Sequence, residues 1–355
     1  MAQPLVSVIM PARDVAPYVR DALGSLARQT LADFEVLVVD DASRDGTGRI
    51  VRAHAARDPR FRVLAGEGAG VSAARNQGLA TSRGRYVAFL DADDMAPPDS
   101  LALRVGLLRE ASLVSCGWDV IGPDGAPLGL AMGRIKGPRR FDTAFDPPVH
   151  IGAMMGEGDL LRSLRFDEAR THGEDHHYLL SLLRAGVTLH THPEPALLYR
   201  WREGSAASAL VAHQTALVDL LDTFAAPAAG EGVAPEFAAG WKKASVRPRQ
   251  LWLLYDLAVR LVMSGGDAED VEAAAQRCDA LLAYGDAAPA DYDVDSFWVA
   301  AVRTFLAPRQ SAELSRSACA CVGGLLALAD RLAAHEGIAA NLRAFVDAAL
   351  ARTAA

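Results

Sequence analysis

The stretch GVSAARNQGLATSRGRYVAFLDADD, residues 70–94, places a helix, a buried strand and an acidic turn in succession. Residues 71–82 have the pattern of a helix, and RYVAFL at 85–90 is a short apolar run typical of a strand buried on both faces. This strand runs directly into Asp91, Ala92, Asp93 and Asp94. The stretch therefore predicts carboxylates at the carboxyl end of a buried strand.

The alternation of strand and helix continues towards the N-terminus. Buried strands are predicted for VSVIMP at 6–11, FEVLVVDD at 34–41 and residues 61–65, with helical patterns at 15–29 and around Ile50. This order predicts an α/β fold with a doubly wound, mostly parallel, Rossmann-like sheet. Such sheets bind ligands outside the carboxyl ends of their strands. Four acids fall at those ends: Asp40, Asp41, Asp91 and Asp93.

The pattern changes after residue 112, and we predict three regions: 1–112, 113–210 and 211–355. The second contains short strands within 112–155, a helix near 156–164, an acid-initiated helix in THGEDHHYLLSLLRAG at 171–186 and an extended segment at 187–201. The third is alanine-rich and has the pattern of an all-helical region, with no strand signal.

Composition limits the classes of function. The net charge of −8 comes from 36 Lys and Arg against 44 Asp and Glu. Because nucleic-acid binding needs a basic surface, no nucleic-acid partner is expected. The four cysteines form no disulfide framework or paired zinc motif. With no signal-peptide pattern and no apolar run of about 18 residues, we expect a cytoplasmic protein, with peripheral membrane contact still open.

Asp91 and Asp93 flank a small residue just after a buried strand. Alternate carboxylates on a tight turn can divide their work: one accepts hydrogen bonds from a ribose hydroxyl while the other holds a divalent cation against phosphate oxygens. Mg²⁺ and Mn²⁺ prefer oxygen ligands, and Mg²⁺ often takes only one or two protein carboxylates. The structural alternative is that both acids cap the next helix, which Pro97-Pro98 opens.

Asp41 and Arg75 are further candidates for a nucleotide site. The carboxylate of Asp41 can accept a hydrogen bond from a uracil imide or a ribose hydroxyl, or it can be a turn acid that starts ASRDGT at 42–47. The charge of Arg75 suits a nucleotide phosphate or base, whereas the alternative is a surface arginine on a helix. Asn76 and Gly78 in the same helix are expected to be architectural.

Glu174 and Asp175 open the predicted helix within 171–186. Acids in a first helical turn are favoured by ~0.3–1 kcal/mol, which accounts for them without any function. The functional alternative is a general base that takes the proton from an acceptor hydroxyl and that the helix N-terminus keeps ionised. A zinc site is not favoured, because adjacent side chains point apart and no Cys-x-x-Cys accompanies the three histidines of this turn: His172, His176 and His177.

Together these segments resemble the family 2 glycosyltransferases, which have the GT-A fold. The resemblance runs from Val6 to Ser205 and is carried by VSVIMPARD, SLARQTLADFEVLVVDDASRDGT, GVSAARNQGLATSRGRYVAFLDADD, GEDHHYLLSLLRAG and LYRWREGS. It implies inverting transfer of a sugar from a nucleotide-diphosphate donor, most simply a UDP-sugar, to a hydroxyl of a bacterial cell-surface glycan or lipid-linked glycan. Region 1–112 is then the nucleotide-sugar-binding half of the GT-A domain and 113–210 its acceptor-binding half.

The resemblance also implies roles for individual residues. It implies a nucleotide pocket formed by Ala12, Asp14, Asp41 and Arg75. It implies that Asp91 meets the ribose, that Asp93 ligates Mg²⁺ or Mn²⁺, and that Asp175 is the base, with Glu174 beside it. In the single displacement of such enzymes, the metal offsets charge growing on the departing diphosphate.

Two positions depart from the family pattern. Family members often have Pro-x-Tyr-Asn near the start, where this chain has Pro11-Ala12-Arg13-Asp14. Many carry a histidine three residues after the tyrosine of the last motif, and here Arg202 follows Tyr199. Arginine stays protonated and cannot ligate a metal, but its planar fork suits phosphate oxygens. We expect Arg202 to share in neutralising the diphosphate; the alternative is that it points to solvent.

Two other functions compete with this interpretation. A non-catalytic sugar-nucleotide-binding or scaffolding protein would use region 211–355 as its working part, but the presence of Asp91, Asp93 and Asp175 argues against it. A nucleotidyltransferase ranks lower, because we find no Gly-rich N-terminal phosphate loop with a following basic pair.

Overall fold

The computed structural model describes residues 3–134, 136–139 and 149–202, together with the single positions 216 and 220. The residues up to 202 fall within one compact unit. Its elements, in chain order, are β1 (Val6–Ala12), α1 (Val19–Ala27), β2 (Phe34–Asp40), α2 (Thr47–Ala55), β3 (Phe61–Ala65), α3 (Val71–Thr81), β4 (Tyr86–Phe89), α4 (Ser100–Leu107), β5 (Leu113–Ile121), β6 (Pro127–Met132), β7 (Gly137–Arg139), a 3-10 turn (Ile151–Ala153), β8 (Met154–Glu157), α5 (Gly158–Arg162), α6 (Glu174–Arg184) and β9 (Leu189–Arg200).

The N-terminal half is the predicted parallel sheet. Its strands run in the order β3-β2-β1-β4, and every pairing among them is parallel. Val6 pairs with both Phe34 and Tyr86, so the three strands start in register. Their carboxyl ends therefore meet at one edge of the sheet, where the loops after Ala12, Asp40 and Phe89 begin.

Burial of apolar side chains explains why these strands form. All seven residues of β1 and all four of β4 are buried, as expected for strands with helices on both faces. Helix α1 packs against this core through Val19, Leu23 and Leu26, each worth about 1.5–3 kcal/mol when fully buried. The helix is shorter than the predicted 15–29, because Val15 accepts turn hydrogen bonds from the N–H groups of Tyr18 and Val19 before it starts.

The second half extends the sheet with mixed pairing. β8 joins β4 and β5 in antiparallel pairings, and the order continues β8-β5-β9-β7. β5 and β9 are parallel, while β6 pairs with β5 and β7 with β9 in antiparallel fashion. Met95, just after β4, forms an antiparallel bridge with Leu198 of β9. This bridge ties the acidic turn after β4 to the end of β9.

Helix α3 is fixed by the two residues expected to be architectural. A Cβ atom on Gly78 would lie 2.4 Å from Cγ2 of Ile9, so only glycine allows this close approach to β1. The amide of Asn76 accepts from the N–H of Phe166 at 2.8 Å and donates to its carbonyl at 2.9 Å. These contacts set the position of Arg75, which directly precedes Asn76 in the helix.

The predicted α/β fold is confirmed for the described residues, and the predicted all-helical region 211–355 lies almost wholly outside them. The boundaries at 112 and 210 stay predictions. None of the helices in the described part of the chain is long and apolar enough to cross a membrane.

Candidate active site

Asp41, after β2, holds the loop that leads into α3. Its Oδ1 accepts hydrogen bonds from the N–H groups of Gly68 and Ala69 at 2.8 and 3.1 Å, and its Oδ2 accepts from Gly70 at 3.0 Å. Arg13 contacts the same Oδ2 at 3.2 Å. A carboxylate has about four lone-pair sites, so these four contacts use its accepting capacity. Any nucleotide contact of Asp41 must therefore share or displace one of them.

Asp14 and Ala12 lie in the neighbouring loop after β1. Asp14 has a φ of 49°, in the left-handed region that residues other than glycine seldom adopt. Its Oδ1 accepts from the N–H of Arg44 at 2.7 Å, and its own N–H donates to Ser43 at 3.2 Å. The carbonyl of Ala12 accepts from the N–H of Asp41 at 2.9 Å. The loops after β1 and β2 are thus joined at the predicted edge.

Arg75 bridges the acidic turn after β4 and the start of α6. Its Nη2 donates to Oδ1 of Asp91 and its Nη1 to Oε1 of Glu174, both at 2.9 Å. The residue is 3% exposed, so the alternative of a surface arginine is wrong. Burial opposes the charge, but Asp91, Glu174 and Asp175 outweigh it and raise the pKa of Arg75. Without Arg75, Asp91 and Glu174, which lie 16 and 99 residues from it in sequence, would be left here as unpaired carboxylates.

 The separation of 99 residues between Arg75 and Glu174 means that this bridge joins the two halves of the domain.

Arg202, just after β9, is bonded to Asp93. Its Nε and Nη2 lie 2.9 and 2.8 Å from Oδ2 of Asp93. Burial and the charge of Asp91 raise the pKa of Asp93, while Arg202 opposes that rise. The guanidinium also lies over the ring of Tyr18, 5.4 Å from its centroid. Arg202 therefore faces the acidic turn rather than solvent.

Arg200 is a structural residue of the site that the sequence analysis missed. It is 1% exposed, and its side chain donates to the carbonyls of Asp93 at 2.7 Å and Pro123 at 2.8 Å and to Oδ2 of Asp21 at 3.0 Å. Its N–H donates to Oδ1 of Asp94 at 2.8 Å. Arg200 lies in LYRWREGS, two residues before Arg202, but β9 ends at Arg200, so this spacing did not indicate its contacts.

Asp94, the last acid of the turn, is buried and is not accessible to solvent or substrate. It is 1% exposed, and its Oδ2 has no hydrogen-bond partner in the described part of the chain. Burial raises the pKa of Asp94 well above its ordinary value, and the charges of Asp93 and Asp91 add to the rise. Its bond to the N–H of Arg200 gives it a role in holding β9 against the turn.

The proposed base lies at the first turn of α6. Gly173, with a φ of 69°, supplies the left-handed residue from which the helix starts. Burial and the charge of Asp175 raise the pKa of Glu174, against the effect of Arg75. Burial also opposes the charge on Asp175, but His176, Arg75 and His150 outweigh it, so the pKa of Asp175 lies below its ordinary range. Of the two acids, Asp175 is the one held ionised.

His150 is a second residue that sequence analysis missed, because no motif surrounds it. Its Nδ1 accepts a hydrogen bond from the N–H of Gly152 at 3.1 Å, so the proton of the neutral ring is on Nε2. The ring centroid is 5.1 Å from that of Tyr199 and 5.7 Å from that of Trp118. Burial lowers the pKa of His150, although the nearby charges of Asp91 and Asp175 oppose this.

The carboxylates of the acidic turn fit a divalent cation that takes most of its ligands from a substrate. Arg75 contacts Oδ1 of Asp91 and Arg202 contacts Oδ2 of Asp93, so each carboxylate has a second oxygen outside these ion pairs. In residues 3–202, apart from 135 and 140–148, no group of three or more His, Cys, Asp or Glu side chains could hold a metal by itself. One or two carboxylates plus substrate phosphates are a common Mg²⁺ ligand set.

Sequence comparison identifies the family. The sequence model described as Glycosyl transferase family 2 matches residues 7–157. The putative teichuronic acid biosynthesis glycosyltransferase TuaG of Bacillus subtilis is 31% identical over 209 residues, which cover 58% of this chain and 82% of TuaG. The chain belongs to glycosyltransferase family 2. By family, this protein is therefore a glycosyltransferase.

Solved structures share the fold of this transferase. The mannosyltransferase PcManGT from Pyrobaculum calidifontis, in complex with GDP-Man and Mn²⁺, aligns with a TM-score of 0.55 at 22% identity, covering 86% of this chain and 88% of that one. S. aureus TarS 1–349 in complex with UDP aligns with a TM-score of 0.50 at 19% identity, covering 78% and 86%. These alignments confirm the predicted GT-A fold.

The extent of the match differs among the curated relatives. A further Bacillus subtilis glycosyltransferase is 40% identical to this transferase over 120 residues, which cover 34% of that relative. The residues matched by the family model, 7–157, contain β1 to β4 and their acidic strand ends.

Proposed function

We propose that this transferase moves one sugar from a nucleoside-diphosphate donor, a UDP-sugar in the first instance, to a hydroxyl of a glycan or lipid-linked glycan, with inversion at the anomeric carbon. The observation that carries the proposal is the bridge from Asp91 through Arg75 to Glu174. It sets the acidic turn of the donor half beside the helix that contains Asp175, so one bound sugar can be within reach of both.

The nucleotide is proposed to bind along the carboxyl ends of β1, β2 and β4. Ala12, Asp14 and Asp41 form the joined loops after β1 and β2, and Asp91 follows β4 with one oxygen outside its ion pair. Binding of UDP by TarS and of GDP-Man by PcManGT supports a nucleotide as the ligand of this fold. Arg75 is proposed to act there through Asp91, since both of its Nη atoms already contact carboxylates.

Asp93 is proposed as the protein ligand of Mg²⁺ or Mn²⁺, with Arg202 beside it. A bound divalent ion would offset negative charge on the departing diphosphate. Arg202 supplies a second, permanent positive charge at the same carboxylate and can turn its planar fork to phosphate oxygens. The presence of Mn²⁺ in the PcManGT complex supports a divalent cation in the reaction.

Asp175 is proposed as the general base. In a single displacement, the acceptor oxygen forms a bond to the anomeric carbon as its O–H bond breaks, and the proton goes to Asp175. The bond from the anomeric carbon to the diphosphate oxygen breaks, and that oxygen leaves with the electron pair. Positive charge around Asp175 keeps it ionised before the step, and Arg75 holds Glu174 beside it.

The acceptor and location belong to the same proposal. TuaG is described as a teichuronic acid biosynthesis enzyme, which supports a cell-surface polysaccharide as the product. A lipid-linked acceptor would require contact with a membrane surface, so we propose a cytoplasmic protein that meets the inner face of the membrane peripherally.

A panel of nucleotide sugars tests the proposal. The protein is screened by thermal shift against UDP- and GDP-sugars with and without Mn²⁺, and the best ligand is then used to measure release of nucleoside diphosphate. Specific binding raises stability by RT ln(1 + [L]/Kd), about 2.7 kcal/mol at a hundredfold excess over Kd. Asp93→Ala should keep the fold, judged by circular dichroism, and lose turnover.

The non-catalytic alternative gives a different result in this screen. A non-catalytic sugar-nucleotide-binding protein would show the thermal shift without release of nucleoside diphosphate under any condition. Full turnover of Asp93→Ala, or of the wild type in excess chelator, would remove the metal role from Asp93.

A further inference from the structure

Asp175 and His176 contact each other twice at the start of α6. The backbone N–H of His176 donates to Oδ1 of Asp175 at 2.8 Å, and the Nδ1 of its ring lies 3.1 Å from the same oxygen. An ionised carboxylate only accepts hydrogen bonds, so Nδ1 bears a proton whether the ring is neutral or charged. The tautomer of His176 is therefore determined by Asp175.

Both contacts fall on Oδ1 and leave Oδ2 outside them. The side chain of Asp175 is 22% exposed, so an acceptor hydroxyl can reach the carboxylate. A base must accept a proton on an oxygen whose lone pair is directed at the substrate. Oδ1 of Asp175 is thus the oxygen that His176 contacts, and Oδ2 is the oxygen left for a substrate.

Titratable groups from three segments of the chain face this pair. They are Arg75 of α3, His150 before the 3-10 turn, and Glu174 of α6 itself. Burial lowers the pKa of His176, but the charges of Asp175 and Glu174 outweigh it and raise that pKa above its ordinary value. The imidazolium form is consequently favoured to higher pH than for an isolated histidine.

We infer that His176 is a positioning residue for the base: it holds Oδ1 of Asp175, so that Oδ2 is the oxygen that receives the proton of the acceptor hydroxyl. The inference rests on the proposed role of Asp175. In the transfer step, the proton moves from the acceptor hydroxyl to Oδ2, and the diphosphate leaves with the electron pair of the bond that breaks. The Nδ1–H of His176 stays on Oδ1 before and after the step.

The charge of His176 also sets the strength of this base. As an imidazolium, His176 keeps a proton off Asp175 by direct repulsion. As a neutral ring, it still donates Nδ1–H to Oδ1, but that repulsion is gone and Asp175 accepts a proton more readily. Turnover should therefore rise as pH increases through the titration of His176, above its ordinary value of about 6.5.

Three variants separate orientation from charge. His176→Leu removes both, whereas His176→Asn keeps an N–H donor near the position of Nδ1 but does not titrate. His177→Asn is the matched control on the same helix, because the charges that act on the pKa of His177 include those of Arg170 and Asp167, outside the site. For each, kcat is measured from about pH 5 to 9 as release of nucleoside diphosphate from the nucleotide sugar with the largest thermal shift, and UDP affinity is measured by calorimetry.

We expect His176→Leu to lower kcat by about 10- to 100-fold, as loss of an orienting hydrogen-bond partner does at metal ligands, with UDP affinity unchanged. His176→Asn should recover most of the loss and show no rise of kcat with pH, and His177→Asn should match the wild type. A wild-type kcat and pH profile in His176→Leu would overturn the inference. So would a loss in His176→Asn as large as that in Asp175→Asn, because the ring itself would then be the base.

An NMR titration tests the contact without any substrate. The ring protons of His176, identified by their absence in His176→Asn, should titrate at lower pH in Asp175→Asn than in the wild type. An unchanged titration would overturn only the inference about His176 and would leave the proposed role of Asp175 as the base unaffected. A shifted titration with wild-type turnover in Asp175→Asn would instead overturn the proposed base, which is expected to contribute about 10²–10⁴ in rate.

Discussion

Arg202 and Asp93 meet through a single oxygen: Nε and Nη2 of the arginine lie 2.9 and 2.8 Å from Oδ2 of the aspartate. The aspartate follows β4 and the arginine follows β9, so the ends of two strands from different halves of the domain are joined there. The pair places a permanent positive charge beside the carboxylate proposed to ligate a metal. A metal and Arg202 therefore compete for the negative charge of Asp93 until a bound diphosphate adds further negative charge.

This competition predicts opposite effects of two substitutions at Arg202. Arg202→His removes the permanent charge and adds a possible ligand, so Mn²⁺ should bind more tightly in the absence of nucleotide. Arg202→Ala should weaken UDP binding by about 10- to 100-fold, the loss expected for a hydrogen bond to a charged group. In the wild type, UDP should strengthen Mn²⁺ binding, and Mn²⁺ should strengthen UDP binding by the same factor.

Calorimetry with Mn²⁺ and UDP, separately and together, measures all of these affinities. Arg52→Ala is the control, because Arg52 pairs with Asp40 on the exposed side of α2 and should change neither affinity. If both Arg202 variants bind Mn²⁺ and UDP as the wild type does, Arg202 has no part in the site.

The bridge formed by Arg75 predicts a large effect on stability. Arg75→Met keeps much of the side-chain volume but leaves Asp91 and Glu174 without their buried cation. We expect the free energy of unfolding in urea to fall by about 3–5 kcal/mol, the cost of breaking a buried ion pair from one side. Arg52→Met, which removes an exposed pair, should cost at most about 1 kcal/mol. Equal losses in the two variants would show that the bridge does not stabilise the domain.

The pair of Asp175 and His176 predicts how stability depends on pH. The lowered pKa of Asp175 stabilises the fold above the ordinary value of 3.8, and this stabilisation is lost as pH falls through the folded value. The raised pKa of His176 stabilises the fold below the ordinary value of 6.5, and this stabilisation is lost as pH rises through the folded value. The pair therefore contributes most between these two ordinary values.

Urea unfolding of the wild type and of Asp175→Asn at about pH 5.5 and pH 9 measures this contribution. The destabilisation by Asp175→Asn should be larger at pH 5.5, where His176 is charged, and smaller at pH 9, where it is neutral. A loss at pH 9 equal to or greater than that at pH 5.5 would mean that His176 does not stabilise the charge of Asp175.

Local patterns in the sequence were sufficient to predict most of the fold. The strand predicted at 61–65 has those bounds, and the helix predicted at 71–82 is Val71–Thr81. Runs of buried β-branched residues and helical spacing depend only on neighbours in the chain, so they were sufficient to predict strands and helices. The antiparallel position of β8 between β4 and β5 was not predicted, since strand order depends on contacts distant in sequence.

The same difference applies to the site. The acids at strand ends were found because a strand end is a local feature, but the partners of Arg75 and Asp41 depend on tertiary packing. Arg75 was expected to suit a phosphate or base, and it contacts two carboxylates. Asp41 was expected to be either a nucleotide contact or a turn acid, and it accepts three backbone N–H groups of its own chain. His150 lies outside the motifs, and Arg200 lies in LYRWREGS, but both make contacts with residues distant in sequence.

The stereochemistry of sugar release tests the central claim most directly, because a single displacement with Asp175 as base must invert the anomeric carbon. The nucleotide sugar selected by thermal shift, a UDP-α-sugar for example, is incubated with the protein, and the first-formed sugar or glycoside is observed by proton NMR before the anomers equilibrate. We predict that the β anomer appears first and that Asp175→Asn slows its appearance. The α anomer as first product would contradict the single displacement and with it the role of Asp175.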